Sequence, residues 1–402
     1  MGAHEGYGEA GFGVLSAAVR RVGVTRLIVT DFRNYRAARL DLDPGPVVLT
    51  GPNGAGKTNL LEAVSFLSPG RGLRHARLGD VERRGGVDEA APAGWVVAAT
   101  VETRRGATRI GTGRDPAGGE RRVVRIDGEP ARSQAALGEV VGVTWLTPQM
   151  DRLFIEGPAA RRSFLDRLVL GLDPAHAGRV AAYEHALRER SRLLRDSQTL
   201  NRSADAAWLD ALDDTIAARG VAVAAARCDA VERLDQACAE ATGPFPRARL
   251  GLSGTIETWL DELPALAVED RFRAALRDGR AADAVSGGAS VGPHRSDLAV
   301  TYAETGAPAE TLSTGEQKAL LISIVLAHAK LQRATRGEPP LLLLDEVAAH
   351  LDAGRRDALF DELLGLESQI WLTGTEPLLF APLRNAARFL AVSGGVLSET
   401  NF

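Results

Sequence analysis

The chain has 402 residues, a formal net charge of −4, 45% apolar residues and 25% charged ones. That length predicts two or three domains with a full core, and the charge excludes a uniformly basic nucleic-acid binder, so any such surface must be a local patch. Two cysteines, Cys228 and Cys238, without C-x-x-C spacing, argue against disulfides or zinc and for a reducing compartment. No apolar run approaches the length of a membrane span, so the expectation is a soluble, cytoplasmic protein.

Residues 1–21 are glycine-rich and read as a leader outside the folded body. A strand pattern begins at Val22, and Ala38–Leu42 reads as a second strand. Between them lies the turn Asp31-Phe32-Arg33-Asn34-Tyr35, where Arg33 or Tyr35 meets a nucleotide only if the two strands pair beside the next element. That element is Gly51-Pro52-Asn53-Gly54-Ala55-Gly56-Lys57-Thr58, a G-x-x-x-x-G-K-[ST] loop after the apolar run Val47-Val48-Leu49 and before a helix from Lys57 to about Leu67. Strand, glycine loop and helix are the context in which this spacing binds phosphate. The glycines turn backbone N–H groups inward, and the helix N-terminus adds its positive end. Lys57 is then expected on the β- and γ-phosphates of ATP, and Thr58 on Mg²⁺. Lysine occurs only at 57, 318 and 330, which makes its place in the loop notable.

The following loop carries Arg71, Arg74, Arg77, Arg83 and Arg84. Strand patterns recur at Trp95–Val101, near Thr108 and at Val123–Ile126, with Asp127-Gly128 as a hairpin turn, so this lobe reads as antiparallel β. A strand at Val140–Leu146 runs into Thr147-Pro148-Gln149, where Gln149 is by local chemistry either a plain loop residue or a reagent. From Pro158 the pattern is helical, over Val180–Arg195, Ala206 to about Thr242, and Val268–Arg277, with a short strand near Ala248–Leu252. Residues 161–202 hold nine arginines against five acids, and residues 203–290 nine against fifteen, so one flank of this insert is basic and the other acidic. Arg71–Arg84 and Arg161–Arg202 are therefore the candidate patches should a nucleic acid bind, with an ordinary solvated face as the alternative for each. Ser286-Gly287-Gly288-Ala289 reads as a hinge.

The last third returns to α/β. Leu298–Tyr302 reads as a strand, and Leu312-Ser313-Thr314-Gly315-Glu316-Gln317 opens a helix, Lys318–Gln332, that is apolar nearly all round. Ser313 to Glu316 fits a capping box, and a capped helix N-terminus is also a phosphate-donor surface. The four-leucine run Leu341–Leu344 suits a central parallel strand and ends in Asp345-Glu346. In a chain that already holds a phosphate loop, Asp345 is the expected Mg²⁺ ligand and Glu346 the general base on the attacking water.

In that order, with Ala349-His350-Leu351-Asp352 after the acidic pair, these motifs resemble an ABC-type ATPase head interrupted by a helical arm, as in the SMC-like ATPases. Phe32-Arg33-Asn34-Tyr35, Thr147-Pro148-Gln149, the run Arg161 to Asp166, and Gly292-Pro293-His294-Arg295 narrow the resemblance to the RecF family of bacterial recombination mediators. The resemblance implies a mixed β lobe and a parallel-sheet lobe, with residues 22–160 and 286–402 forming the head and 161–285 the arm. It implies an ATP-dependent homodimer that clamps DNA beside single-stranded gaps, acts with RecR and RecO to load RecA, and hydrolyses ATP slowly. Position by position it makes Gln149 the residue sensing Mg²⁺ and water, Ser313 and Gly315 the contacts to the other subunit's γ-phosphate, and Asp352 a residue of the dimer seam. Three departures stand out: Glu346 where many relatives have Asp, Ser296 where an acid is expected, and no histidine near Thr373. A transporter ATPase subunit or an SMC-like chromosome protein is the alternative, and the transporter is disfavoured by the missing histidine and the long insert.

Overall fold

The computed structural model describes residues 21–83, 94–114, 121–199 and 205–400; the leader, Arg84 and Arg202 lie outside the described residues, apart from Arg21. The chain opens with strands β1 (Gly23–Phe32), β2 (Tyr35–Asp41) and β3 (Val47–Thr50), then helices α1 (Lys57–Ser65) and α2 (Leu78–Val81). Strands β4 (Val96–Thr103), β5 (Gly106–Arg114), β6 (Arg122–Ile126) and β7 (Glu129–Pro130) follow, then helix α3 (Ala136–Val140) and strand β8 (Val143–Leu146). The strand expected from Val140 thus starts three residues later, because Val140 closes the helix that packs Leu137 inward. Helix α1 likewise stops at Ser65, short of Leu67.

Next come the long helices α4 (Pro158–Leu172), α5 (His176–Thr199) and α6 (Ala206–Ala239). They are followed by strand β9 (Ala248–Ser253), helices α7 (Thr255–Glu262), α8 (Ala265–Asp278) and α9 (Arg280–Ser286), and strand β10 (Asp297–Tyr302). The final part contains α10 (Thr314–Arg336), β11 (Leu341–Leu344), α11 (Ala353–Gly365), β12 (Ile370–Gly374), β13 (Arg388–Ser393) and β14 (Val396–Glu399).

Two sheets make the head. The first is antiparallel, in the order β2-β1-β4-β5-β6-β7, and the second is β14-β13-β3-β12-β11-β8, parallel except at β14. The leucine run shows how alternation builds a three-layer body. Leu341 and Leu343 face the core shared with α1 and the antiparallel sheet, while Leu342 and Leu344 face the core shared with α4, α10 and α11. Such burial on both faces is what a continuous apolar strand requires.

Strand β10 does not join either head sheet. It pairs with β9 as a two-stranded ribbon at the root of the arm, packed on α4 and α6, a pairing that its residue pattern alone could not distinguish from sheet membership. The stretch expected to hinge is tied down, because the Ala289 carbonyl accepts from His294 Nε2 at 2.9 Å and from Arg295. Ser296 donates to the buried Glu257 carboxylate at 2.6 Å, so an acid at that position would set two carboxylates against each other in a dry site. In the arm, buried Arg190 is fixed between Asp213 at 2.7 Å and Asp283 at 2.8 Å, which sets the register of α5 against α6 and α9.

A buried side chain helps join the two sheets. Buried Gln369 accepts from Val24 N–H at 2.8 Å and donates to the carbonyls of Val24 at 3.0 Å and Asp43 at 3.2 Å. Gln369→Leu would strand these groups away from water, so urea unfolding should report a loss of roughly 3 kcal/mol. A loss below about 1 kcal/mol would mean that the two sheets do not depend on this bridge.

Candidate functional site: a phosphate loop facing an acidic strand end

The phosphate loop is shaped by close packing that only glycine permits. Gly51 has φ +146°, and a Cβ there would lie 2.2 Å from the Val392 carbonyl oxygen; Gly56 has φ +117°, and its Cβ would meet Asn34 Nδ2 at 2.5 Å. The β1–β2 turn does lie beside the loop: Asn34 Nδ2 donates to the Ala55 carbonyl and Tyr35 OH to that of Gly56, both at 3.0 Å. Tyr35 is fully buried and acts as a strut. Pro52, Asn53 and Gly54 are exposed at the loop's crest, Ala55 and Gly56 buried beneath it.

Lys57 is curled over this loop, donating to the carbonyls of Gly51 at 2.7 Å and Pro52 at 3.0 Å. Burial lowers its pKa, against the opposing charges of Glu346 and Asp345, so a phosphate oxygen arriving here meets a cation that is poorly hydrated.

Asp345 is the point where three elements meet. Its carboxylate accepts from Thr58 Oγ1, 3.0 Å from each oxygen, and from Thr373 Oγ1 at 2.7 Å. Thr373 in turn accepts from Glu346 N–H at 2.9 Å. Glu346 itself sits in the left-handed region at φ +52°, a rare conformation for a non-glycine residue that sets it apart from the strand it follows. Burial raises the Asp345 pKa above the ordinary carboxylate value, and the two hydroxyls and nearby Arg74 only partly oppose it. Thr58 and Asp345 form a pair of hard oxygen donors of the kind that holds Mg²⁺ together with substrate phosphates. No cluster of three or more His, Cys, Asp or Glu that could hold a metal occurs among the described residues.

The remaining motif residues lie outside this cluster. Gln149 is exposed on a short 3₁₀ turn after β8. Ser313 caps α10 in a reciprocal box with Glu316: Ser313 Oγ and N–H both reach the Glu316 carboxylate, at 2.6 and 2.9 Å. Ser313, Gly315 and Glu316 are exposed, and no hydrogen bond joins them to the phosphate loop. Asp352 caps α11 through Arg355 N–H at 2.9 Å and is exposed.

Arg33, expected at the nucleotide, is engaged within the protein. It grips the buried Glu62 carboxylate through two nitrogens, at 2.8 and 2.7 Å, and donates to the Asp80 carbonyl. Arg74 shares Glu62 and reaches Asn59, which donates to Asn34. This polar chain ties α1 to its flanking loops; nothing in local spacing signals it, because its members are up to 47 residues apart. Thr373, which the sequence marks only by the lack of a histidine nearby, is buried against Asp345.

The two basic stretches fare differently. Over 161–202, Arg161 pairs with Asp297, Arg179 with Asp173, Arg188 with Glu184 and Arg192 with Glu189, and Arg190 is buried. The expected basic surface is therefore partly neutralised, since helical and ribbon neighbours bring acids to these five arginines. Over 71–84, Arg83 pairs with Asp31, whereas Arg71 and Arg77 are exposed without an acceptor among the described residues.

A parallel sheet bearing a phosphate loop on one strand and Asp-Glu on another, an antiparallel lobe and a helical insert before a capped signature helix define an ABC-type ATPase head. A family model described as RecF/RecN/SMC N terminal domain matches residues 23–387, and the chain belongs to the RecF family. It is 49% identical over 381 residues to the DNA replication and repair protein RecF of Mesorhizobium japonicum, covering 94% of this chain and 98% of that protein. With its counterpart from Rhizobium rhizogenes it shares 47% over 383 residues, covering 94% and 99%. Among solved structures, the recombination mediator protein RecF-ATPrS of the RecFOR pathway superposes with a TM-score of 0.81 at 21% identity over 94% of this chain and 98% of that one. A Pyrococcus furiosus Smc head domain gives 0.53 at 17% over 95% and 96%. Both share the fold.

Because the folded-state Asp345 pKa is raised, the carboxylate is protonated on acidification sooner than an ordinary Asp near 3.9. The acid limb of ATP turnover should therefore lie above that value. Thr373→Val removes a bond that favours the carboxylate, so the limb should move further up and kcat fall roughly 10–100-fold. Steady-state turnover against pH checks this, and an unchanged profile would remove Thr373 from the site.

Proposed function

We propose that this chain is an ATP-driven homodimeric clamp on duplex DNA near single-stranded gaps, acting with RecR and RecO in loading RecA during gap repair, and released by slow ATP hydrolysis. The observation that carries this reading is the division of the site. Lys57, Thr58, Asp345 and Glu346 form one half, while Ser313 and Gly315 stand exposed at the head of α10 with only Glu316 for company. A second copy offering its α10 N-terminus supplies the missing donors with a favourable helix dipole.

In this mechanism the backbone N–H groups of residues 51–58 cradle the phosphates, and Lys57 exchanges its two carbonyl partners for β- and γ-phosphate oxygens. Thr58 and Asp345 would hold Mg²⁺, with Gln149 completing the set from the side; the ion supplies charge neutralisation on the phosphates. Glu346, aimed by the Thr373 contact, takes the proton of the attacking water. The partner's Ser313 hydroxyl leaves Glu316 to donate to the γ-phosphate, and Asp352 of each copy lies at the seam. Neither nucleotide site works until both copies are in place, so turnover reports closure.

The family names support DNA as the partner, with contact mainly to phosphates and hence steep salt dependence. Arg71 and Arg77 are better placed for it than the paired arginines of 161–202. Among the described residues no helix is long and apolar enough to cross a membrane.

Two measurements test the proposal. In sedimentation velocity, ATP should convert wild type from monomer to dimer, ADP should not, and Lys57→Ala should stay monomeric while remaining folded; a Lys57→Ala dimer on ATP would refute the site. Glu346→Gln should bind ATP and lengthen the lifetime of the protein on DNA by about tenfold or more, and a lifetime equal to wild type would mean that hydrolysis does not open the clamp.

A further inference from the structure

A cleft of about 550 Å³ lies between the head and the root of the arm, away from the phosphate loop. Its head wall is the loop holding Pro69 to Gly72 and His75, its floor is Trp145 on β8, and its arm wall is formed by α4 and α5. None of the residues assigned to the ATP site lines it.

The head wall is built rigidly. Buried Arg122 donates to the carbonyls of Phe66, Ser68 and Gly70 and lies 5.0 Å over the Phe66 ring. Ser65 Oγ accepts from Leu73 N–H at 2.9 Å, and Gln134 Oε1 from Gly70 N–H at 3.3 Å. A guanidinium placed on three consecutive turns of carbonyl oxygens fixes the path of the loop that carries Arg71 and His75.

The floor holds a cation without a counter-ion. Arg167 lies 4.4 Å over the Trp145 ring and 5.5 Å from that of Phe164, and its only polar contact among the described residues is a weak one to Met150 Sδ at 3.6 Å. Its Nε is sealed from solvent and meets no acceptor. Burial draws the Arg167 pKa down to about 9. His75 is held below the ordinary imidazole value, first by burial and then by the charges of Arg167 and Arg71, so all three groups face a common space. Ser163, exposed on α4, adds a hydroxyl to the lining.

The acids nearby do not cancel this charge. Both Asp166 and Glu184 line the cleft, but Asp166 is taken by Arg227, at 2.8 Å through each of two nitrogens, and by His176 at 2.8 Å, and Glu184 by Arg188 at 3.4 Å. A half-buried guanidinium with no acid partner among the described residues is partly desolvated, a cost that an entering oxyanion would relieve. Two arginines, an imidazole and a hydroxyl offer more donors than a carboxylate can accept, whereas a phosphate monoester with three oxygens and up to two charges matches them. The apolar wall of Trp145, Leu170, Val180 and Ala181 and the volume of about 550 Å³ suit a body the size of a nucleoside.

We infer that this cleft binds a phosphate carried on a nucleotide-sized body, either a free mononucleotide or the phosphorylated end of a nucleic-acid strand. The inference does not rest on the clamp reading, and the test keeps the two apart by using full-length Lys57→Ala, in which the phosphate loop is disabled. Binding is measured calorimetrically for inorganic phosphate, deoxymononucleotides and short single strands ending in phosphate or hydroxyl, each nucleotide form against its unphosphorylated counterpart. The phosphorylated form should bind about tenfold tighter, and Arg71→Gln should remove most of that preference. Arg71 is exposed, so this variant keeps the fold if Arg167→Gln does not. A preference confined to mononucleotides identifies a free nucleotide as the source, and one confined to strands identifies a nucleic-acid end; either sustains the site. Equal affinity within both pairs, binding of inorganic phosphate alone, or a preference that survives Arg71→Gln overturns it.

Discussion

The Asp345 carboxylate is the constraint on which the rest of this molecule turns. It accepts hydroxyls from Thr58, at the head of α1, and from Thr373, at the end of β12, while its own strand β11 lies centrally in the parallel sheet. An acid in so dry a place is costly unless hydrogen-bonded, and the two threonines meet that need by drawing three elements to one point. The same arrangement puts Glu346 beyond the strand in a left-handed conformation and leaves Lys57 opposite. Phosphate loop, acidic pair and sheet order are therefore one structure seen from three sides.

The arm and the head are joined by charge as much as by apolar contact. Arg161 on α4 pairs with Asp297 on the ribbon, Arg162 donates to the Ser296 carbonyl, and Arg227 on α6 clamps Asp166 and the Pro293 carbonyl. The Gly-Pro-His-Arg segment is thus a knot in which α4, α5 and α6 are fastened, with Tyr183 reaching His294 at 2.7 Å. This explains why a sequence that looks strongly basic over 161–202 presents little free positive charge there. Arginine was used for its planar, many-donor fork, and most of those forks are occupied within the protein.

What could be read beforehand follows a physical divide. The phosphate loop, the leucine strand with its acidic end and the capping box at Ser313 are local patterns whose geometry is dictated by neighbours in the chain, and they were legible. The antiparallel lobe was legible in kind from alternation and the Asp127-Gly128 turn. Pairings between distant segments were not: β10 with β9 rather than a head sheet, Arg33 with Glu62, Thr373 with Asp345, and Gln369 with Val24. Each depends on a partner from 28 to 345 residues away, and nothing in the residue types near either end names the other. The half-buried arginine at 167 was equally invisible, because only the fold reveals that no acid among the described residues reaches it.

The central claim is that each copy completes the other's nucleotide site, and mixing two disabled variants tests it most directly. Lys57→Ala damages the phosphate-loop half and Ser313→Arg the signature half, so each alone should fail to hydrolyse ATP. If the halves meet across a dimer, an equimolar mixture regains turnover, because a mixed pair contains one intact composite site. A mixture as inactive as its parents, or a Ser313→Arg protein that hydrolyses ATP at the wild-type rate, would contradict the account.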